Sequence, residues 1–323
     1  MKRFYSAALA ALMLLGLLAA CGKTPAGDGG LTIVTTIFPV YDWCREILGE
    51  EAGGAELTML LDTGVDLHSY QPTAADMVKI ASADVFIYVG GESDKWVKDA
   101  LATAGNPDRI VVNLLDALGD AAREEELVEG MEGEEEEDGG EEEGPEYDEH
   151  VWLSLKNAAA LVSSLTDAIA EADPAHADAY RANAGDYIAR LNALDGEYAR
   201  AVAEGTKKTI LFGDRFPFRY LADDYGLSYY AAFSGCSAET EASFETIVFL
   251  AHKVDELGLG CVLRIESSDG SIARTVIENT AGKNQTPLVL DSMQSMTSED
   301  VKNGVTYLSV METNLNVLRE AVK

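Results

Sequence analysis

Positive charge is scarce in this chain. Lysine and arginine number 24 against 56 aspartates and glutamates, for a formal net charge of −32 over 323 residues. Nucleic acid and anionic headgroups both need a positive face, so neither is an expected partner. Cysteine is sparse, at four residues, and no CxxC or mixed Cys/His zinc-finger spacing occurs. GxSxG, P-loop and HExxH motifs are missing as well, which removes the familiar sequence markers of hydrolases, nucleotide binders and zinc proteases. Long apolar runs are limited to one, Tyr5 to Ala20, too short between its flanks for a membrane span. Histidine occurs four times, at positions 68, 150, 176 and 252.

What is present is a globular composition, with 47% hydrophobic residues, and a length sufficient for two domains. Residues 1–20 read as a signal peptide, with a basic start and an apolar middle. Leu18-Ala19-Ala20-Cys21 resembles a bacterial lipobox, which implies a lipid on Cys21 and a tether over 21–30. Of the remaining cysteines, 44, 236 and 261, at most one pair can bridge. Cys236–Cys261 is the expected pair, and three isolated buried thiols are the alternative.

Strand-length apolar runs alternate with helical patterns throughout. Strands are expected at Leu31–Phe38, Ala55–Leu61, Asp84–Val89 and Arg109–Leu114, then at Thr209–Phe212, Leu227–Phe233, Gly260–Ile265 and Pro287–Leu290. That alternation predicts an α/β fold of two lobes, each a parallel four-stranded sheet flanked by helices. The lobes are expected at 31–172 and 206–323. Between them, 173–205 reads as one long rigid helix, with apolar positions from Tyr180 to Tyr198 at three- and four-residue steps. Two shorter helices broken near Gly185 or Gly196 are the alternative. One stretch differs in kind: "EEELVEGMEGEEEEDGGEEEGPEYDE", residues 124–149, holds sixteen carboxylates and half of the net charge. It has too little apolar surface to fold alone, so a disordered acidic loop is expected over 120–149.

The chemistry gathers at strand exits, where open parallel sheets bind ligands. His68, in "GVDLHSYQPT", follows the second strand, ahead of a helix with Thr73 and Asp76 as its capping box. His150, in "YDEHVWLS", follows the fourth strand and the acidic loop. In the second lobe Asp214 follows the first strand and Asp291 the fourth. If the lobes face each other, two imidazoles meet two carboxylates, a set suited to zinc or manganese. Each of these residues also has an ordinary structural role open to it, as a surface histidine or a helix-capping aspartate. His176 and His252 lie on helical patterns away from strand exits and read as surface residues.

Several of these stretches resemble one family. "GVDLHSYQPTAADMVKIASADVFIYVG" and "DEHVWLS" are similar to the two histidine motifs of metal-binding lipoproteins from zinc and manganese ABC importers, the cluster A-I periplasmic-binding-protein family. "DPAHADAYRANAGDYIARLNALDGEY" resembles their inter-lobe helix and "GVTYLSVMETNLNVLREAV" their last helix. The resemblance implies a non-enzymatic receptor, lipid-anchored at the extracytoplasmic face of the cell membrane. It would hold zinc, or alternatively manganese, between its lobes and pass it to an ABC permease. His68 and His150 carry over as ligands, and Asp291 in "PLVLDSM" matches the late aspartate. The remaining ligand position falls on Arg215, which cannot donate to a metal. Asp214 is the expected substitute, with Glu239, Glu241 and Glu266 as further carboxylates that could turn inward. The acidic loop lies where some of these receptors carry a histidine-rich loop, and reads as a weak cation collector or a function-free insertion. A surface adhesion or structural lipoprotein with weakened metal binding, or a metal-dependent hydrolase, are the competing readings.

Overall fold

Four apolar runs in the first half form β1 (Thr32–Thr35), β2 (Glu56–Met59), β3 (Val85–Tyr88) and β4 (Ile110–Asn113). They pair in parallel in the order β2-β1-β3-β4. The computed structural model describes residues 30–49, 54–103, 105–132, 146–237 and 241–323. The crossovers are helices α1 (Phe38–Leu48), α2 (Ala74–Ser82) and α3 (Val97–Ala102). Thr73 and Asp76 close the expected capping box on α2. A further short helix, α4 (Leu114–Leu118), starts directly at the end of β4.

Next come α5 (Leu155–Ala172) and α6 (Ala177–Glu204). The break at Asp173-Pro174 is where the sequence puts it, but α6 restarts later, with His176 as its N-cap. Asp173 accepts hydrogen bonds from His176 Nδ1 and from the Tyr180 hydroxyl. The 28 residues of α6 are continuous, about 42 Å long at 1.5 Å per residue. A methyl at Gly185 or Gly196 would meet nothing within 4 Å, so both glycines lie on the open face and neither breaks the helix. Its other face buries Tyr180, Ala184, Tyr187, Leu191, Leu194 and Tyr198.

The second half supplies β5 (Thr209–Leu211), α7 (Arg219–Tyr225), β6 (Ser228–Tyr230), α8 (Phe244–Leu257), β7 (Cys261–Arg264), α9 (Ser271–Asn279), β8 (Thr286–Val289), α10 (Ser298–Lys302) and α11 (Tyr307–Ala321). The four strands form two parallel ladders, β5-β6 and β7-β8. A parallel bridge between Phe212 and Leu263, continued by Gly213 N–H to Leu263 C=O at 2.9 Å, joins the ladders into the expected second sheet. Residues 31–323 form one unit, and the main apolar cluster runs from Ile33 and Trp43 through α6 to Phe212 and Leu263.

The expected Cys236–Cys261 bridge is not made: Cys44, Cys236 and Cys261 are free thiols. Cys261 opens β7 at the amino edge of the sheet, whereas Cys236 lies past the carboxyl edge of β6. A four-residue strand spans roughly 13 Å, beyond the roughly 7 Å Cα separation a disulfide tolerates. Cys21 and the rest of 1–29 lie outside the described residues, as do 133–145 and Glu239. The flanks of the expected disordered loop are ordered. Residues 123–125 pair with 146–148 through Glu125 N–H to Glu146 C=O and Asp148 N–H to Arg123 C=O, both 2.8 Å. Further on, Glu132 pairs its backbone with Ala232 and its carboxylate with Ser243 and Thr246 at the start of α8. Acidic side chains that reach a helix N-terminus find donors there, which composition alone does not reveal.

Candidate metal centre

The site is built on the carboxyl edge of the first sheet. After β2 the chain makes a single 3₁₀ turn, Leu67–Ser69, pinned by buried Leu67 and by Asp66 Oδ1, which accepts the His68 N–H at 3.1 Å. After β3, Gly90 and Gly91 take positive φ, and Asp94 accepts both the Val89 and Gly90 N–H groups. A Cβ on Gly91 would fall 2.3 Å from Glu149 Oε1. This tight turn brings Ser93 to the Nδ1 of His68, with Oγ at 2.7 Å. Glu149 Oε1 accepts the Ser93 N–H at 2.8 Å.

His150 precedes a second 3₁₀ turn, Val151–Leu153, and its side chain is fully buried. Asp148 Oδ1 accepts from both the His150 N–H (2.8 Å) and its Nδ1 (2.9 Å). With each Nδ1 held, the two Nε2 atoms point at one another, 3.2 Å apart. Two imidazoles bound tetrahedrally to zinc through ~2.05 Å bonds would hold their nitrogens ~3.3 Å apart. The ring pair is thus spaced for one cation, with its outer nitrogens oriented by the carboxylate and hydroxyl partners that metal-binding histidines use.

The electrostatics separate the two rings. Burial, followed by the neighbouring His150, pushes His68 down to about 3. Burial also works to lower His150, but the charge and hydrogen bond of Asp148, with Glu149, outweigh it and hold this ring above the ordinary histidine range. Burial pushes Glu149 up to about 7, and its Oε2, 3.6 Å from His68 Nδ1, has no hydrogen-bond partner.

The second lobe closes over this pair. Trp152 Nε1 donates to Ser292 C=O at 2.9 Å, and Gln294 Oε1 lies 3.3 Å from His150 Nε2. Gln294 follows Met293, whose φ of +61° is unusual for a non-glycine residue. The turn is held by Asp291 Oδ1, which accepts the Met293 N–H at 2.8 Å, and by Glu266, which accepts from the backbone N–H groups of Ser292 and Gln294. Asp214 accepts the N–H groups of Arg215 and Ile265. The structure therefore brings His68 and His150 together, and ties Asp291 and Asp214 to the loops behind them. Burial first, and Glu266 next, push Asp291 up to about 7. His176 and His252 have exposed side chains, His176 beside Asp173 in the turn before α6 and His252 beside Glu256 on α8.

Arg215 pairs with Asp66, across the cleft and two residues before His68, and its charge still works to lower the pKa of both rings; its Nη1 also donates to Ser237 C=O at 3.4 Å. The same loop holds a residue that sequence reasoning assigned elsewhere. The sulfur of Cys236 and a ring nitrogen from each of His68 and His150 all lie within 4.8 Å of one another. Cys236 also follows a strand, β6, so the strand-exit rule was the signal that could have found it.

Comparison with known proteins gives the family and the fold. Residues 33–321 match the family described as ZnuA, zinc-uptake complex component A, periplasmic. The zinc-binding lipoprotein AdcA of Streptococcus pneumoniae serotype 4 is 34% identical over 316 residues, 97% of this chain, and the chain spans only 59% of that protein's length. The high-affinity zinc uptake system protein ZnuA of Bacillus subtilis is 30% identical over 95% of this chain and 94% of its own. Among solved structures, the Zn(II)-bound ZnuA-like domain of S. pneumoniae AdcA superposes with a TM-score of 0.69 at 30% identity, covering 91% of this chain and 99% of that domain. With nearly its whole described length matched, and its histidine pair in place, the chain belongs to the zinc-uptake component A family.

Proposed function

We propose that the protein is an extracytoplasmic receptor that binds zinc, with manganese as the alternative ion, between its lobes and delivers it to an ABC permease. The observation that carries this is the buried pair of Nε2 atoms 3.2 Å apart, each ring fixed from behind. The lobes are 31–172 and 206–323, with 173–205 as the strut between them, and lipid on Cys21 tethers the whole to the outer face of the membrane. The relatives named for zinc binding and zinc uptake support the choice of ion and of a transport partner. The net charge of −32 supports cation capture by raising the local cation concentration.

A catalytic role would require a general base facing an open metal position. The free oxygen of Glu149 lies instead on the Nδ1 side of His68, behind the ring pair, so binding without catalysis is the better reading. Weakened binding in an adhesive lipoprotein would follow if the Arg215 charge faced the ion, but that charge is paired with Asp66. The test is a melting curve of metal-free protein with added zinc. Zinc should raise the melting temperature of the wild type and leave His68→Ala and His150→Ala unshifted. An unshifted wild type, with zinc and with manganese, overturns the proposal.

A further inference from the structure

We propose that Cys236 is the second lobe's ligand to the metal, supplying a thiolate where Arg215 leaves the family's ligand position without a donor. This rests on the receptor reading above and deepens it. The sulfur and the two imidazoles come from opposite lobes and meet within 4.8 Å. Their approach is built into the loop. Gly235 lies against the His150 ring so closely that an added Cβ would stand 3.1 Å from Cε1 and 3.2 Å from Nδ1. Only a residue without a side chain allows the backbone this near, and the next residue is then at the edge of the ring pair.

Three ties hold the loop in place. Cys236 N–H donates to Glu125 Oε1 at 3.1 Å, Arg215 holds Ser237 C=O, and the Arg215–Asp66 pair fastens that assembly to the turn carrying His68. The arginine thus acts as a clamp on the loop that delivers the sulfur. Glu149 is 1% exposed; one of its oxygens holds the Ser93 N–H, and Ser93 Oγ in turn meets His68 Nδ1 at 2.7 Å, fixing the ring so that Nε2 faces the cleft. A fourth donor points the same way. The Gln294 amide nitrogen donates to Ser292 Oγ at 3.1 Å, which leaves its oxygen toward His150 Nε2.

The chemistry follows from the donor set. As the sulfur–metal bond forms, the thiol releases its proton to solvent. Two imidazoles and a thiolate make a softer site than two imidazoles and two carboxylates, and softness favours zinc over manganese, which prefers oxygen. The zinc preference of this chain would therefore be set by Cys236.

The experiment loads metal-free full-length chain with Co²⁺ as a spectroscopic stand-in for zinc. A sulfur-to-cobalt charge-transfer band in the near ultraviolet is expected in the wild type, retained in Cys44→Ser and Cys261→Ser, and lost in Cys236→Ser. In chelator competition, Cys236→Ser should weaken zinc binding by at least the roughly 10- to 100-fold that removal of a mere supporting group costs. It should leave manganese binding nearly unchanged. Metal-free melts establish that the variant folds. Should it not fold, alkylation mapping of the wild type decides, with zinc expected to shield Cys236 selectively. A wild-type cobalt complex without the band, or Cys236→Ser with wild-type zinc affinity, overturns the thiolate; if His68→Ala and His150→Ala still abolish binding, the receptor reading survives that result. A wild type that binds no metal overturns both.

Discussion

Gly235→Ala tests the site without touching any metal-binding atom. The new methyl would stand 2.9 Å from the Phe216 carbonyl oxygen, 3.1 Å from His150 Cε1 and 3.2 Å from His150 Nδ1. The first contact is with backbone and cannot be relieved by a rotamer change. The ring cannot yield freely either, since it is fully buried, bonded to Asp148 and packed 5.3 Å from the Trp152 ring. Overpacking of this kind costs about 1–3 kcal/mol. In metal-free protein the loop can lift off the ring and shed part of that strain. Zinc binding requires ligand distances within about 0.2 Å of ideal, so it re-imposes the strain. The destabilisation of the metal-free fold and the loss of binding energy should therefore sum to about 1–3 kcal/mol, whichever way they divide. If binding carries it all, zinc affinity falls roughly 5- to 150-fold. If the fold carries it all, the metal-free melting temperature falls by about 2–6 °C, at about 2 °C per kcal/mol for a body this size. Chelator competition and calorimetric melts measure the two parts. A variant matching the wild type in both would refute the close packing of this loop on His150 as a condition of the site.

Zinc at about a thousand times its dissociation constant should stabilise the wild type by about 4 kcal/mol, an upshift of roughly 8 °C, absent in His68→Ala; a full shift in that variant removes His68 from the site. At about pH 6, below the ordinary histidine pKa, His150 is protonated because Asp148 overcomes its burial, while His68, held down to about 3, is already neutral. Burial keeps the Cys236 thiol protonated as well. Zinc binding at that pH should release at least two protons, from His150 and the thiol and in part from Glu149 and Asp291, counted by calorimetry in buffers of differing ionisation enthalpy, and affinity should rise with pH; release of one proton or none would leave the thiol uninvolved. Metal-free stability should increase on mild acidification from about pH 7.5 to 5.5. Burial holds Glu149 and Asp291 at about 7, and Asp42 and Asp94 at about 6. These are above their unfolded values, so the folded state takes up protons first, and each group adds up to about 1.4 kcal/mol per pH unit. His68 opposes this below its ordinary pKa, one group against four; a melting temperature that falls over this range contradicts the burial of those carboxyls.

The sheets were legible because each strand is a short apolar run bounded by turn residues, and the capping box at Thr73 and Asp76 marked the start of α2. The long helix was legible from the spacing of Tyr180, Ala184, Tyr187, Leu191, Leu194 and Tyr198, which became its buried face. Its restart was less so. Asp173 could cap in principle, but its carboxylate is taken by the His176 ring and the Tyr180 hydroxyl. The acidic loop was judged from composition, which averages over side chains. It could not show that Glu125 meets the Cys236 N–H or that Glu132 meets Ser243 and Thr246, because those donors lie more than a hundred residues away.

The histidine pair was legible for a reason that also explains why Cys236 was passed over. Strand exits tell which residues can reach the cleft, and His68, His150, Asp214, Asp291 and Cys236 all satisfy that rule. Which of them turns inward depends on the backbone just beside each one. Asp214 sits where β5 ends, and its carboxylate accepts the N–H groups of Arg215 and Ile265. Asp291 accepts the N–H of Met293 through one of its two oxygens, Oδ1. Cys236 has a glycine packed on the His150 ring before it and a carbonyl that meets Arg215 after it. An arginine at the family's ligand position then need not mark a lost site. Its pairing with Asp66 offsets part of its charge, and the same guanidinium reaches the loop that carries the replacement donor. Arginine at 215 and cysteine at 236 are thus best understood as one exchange, in which the ligand moves from one strand exit to the next and the vacated position becomes its support.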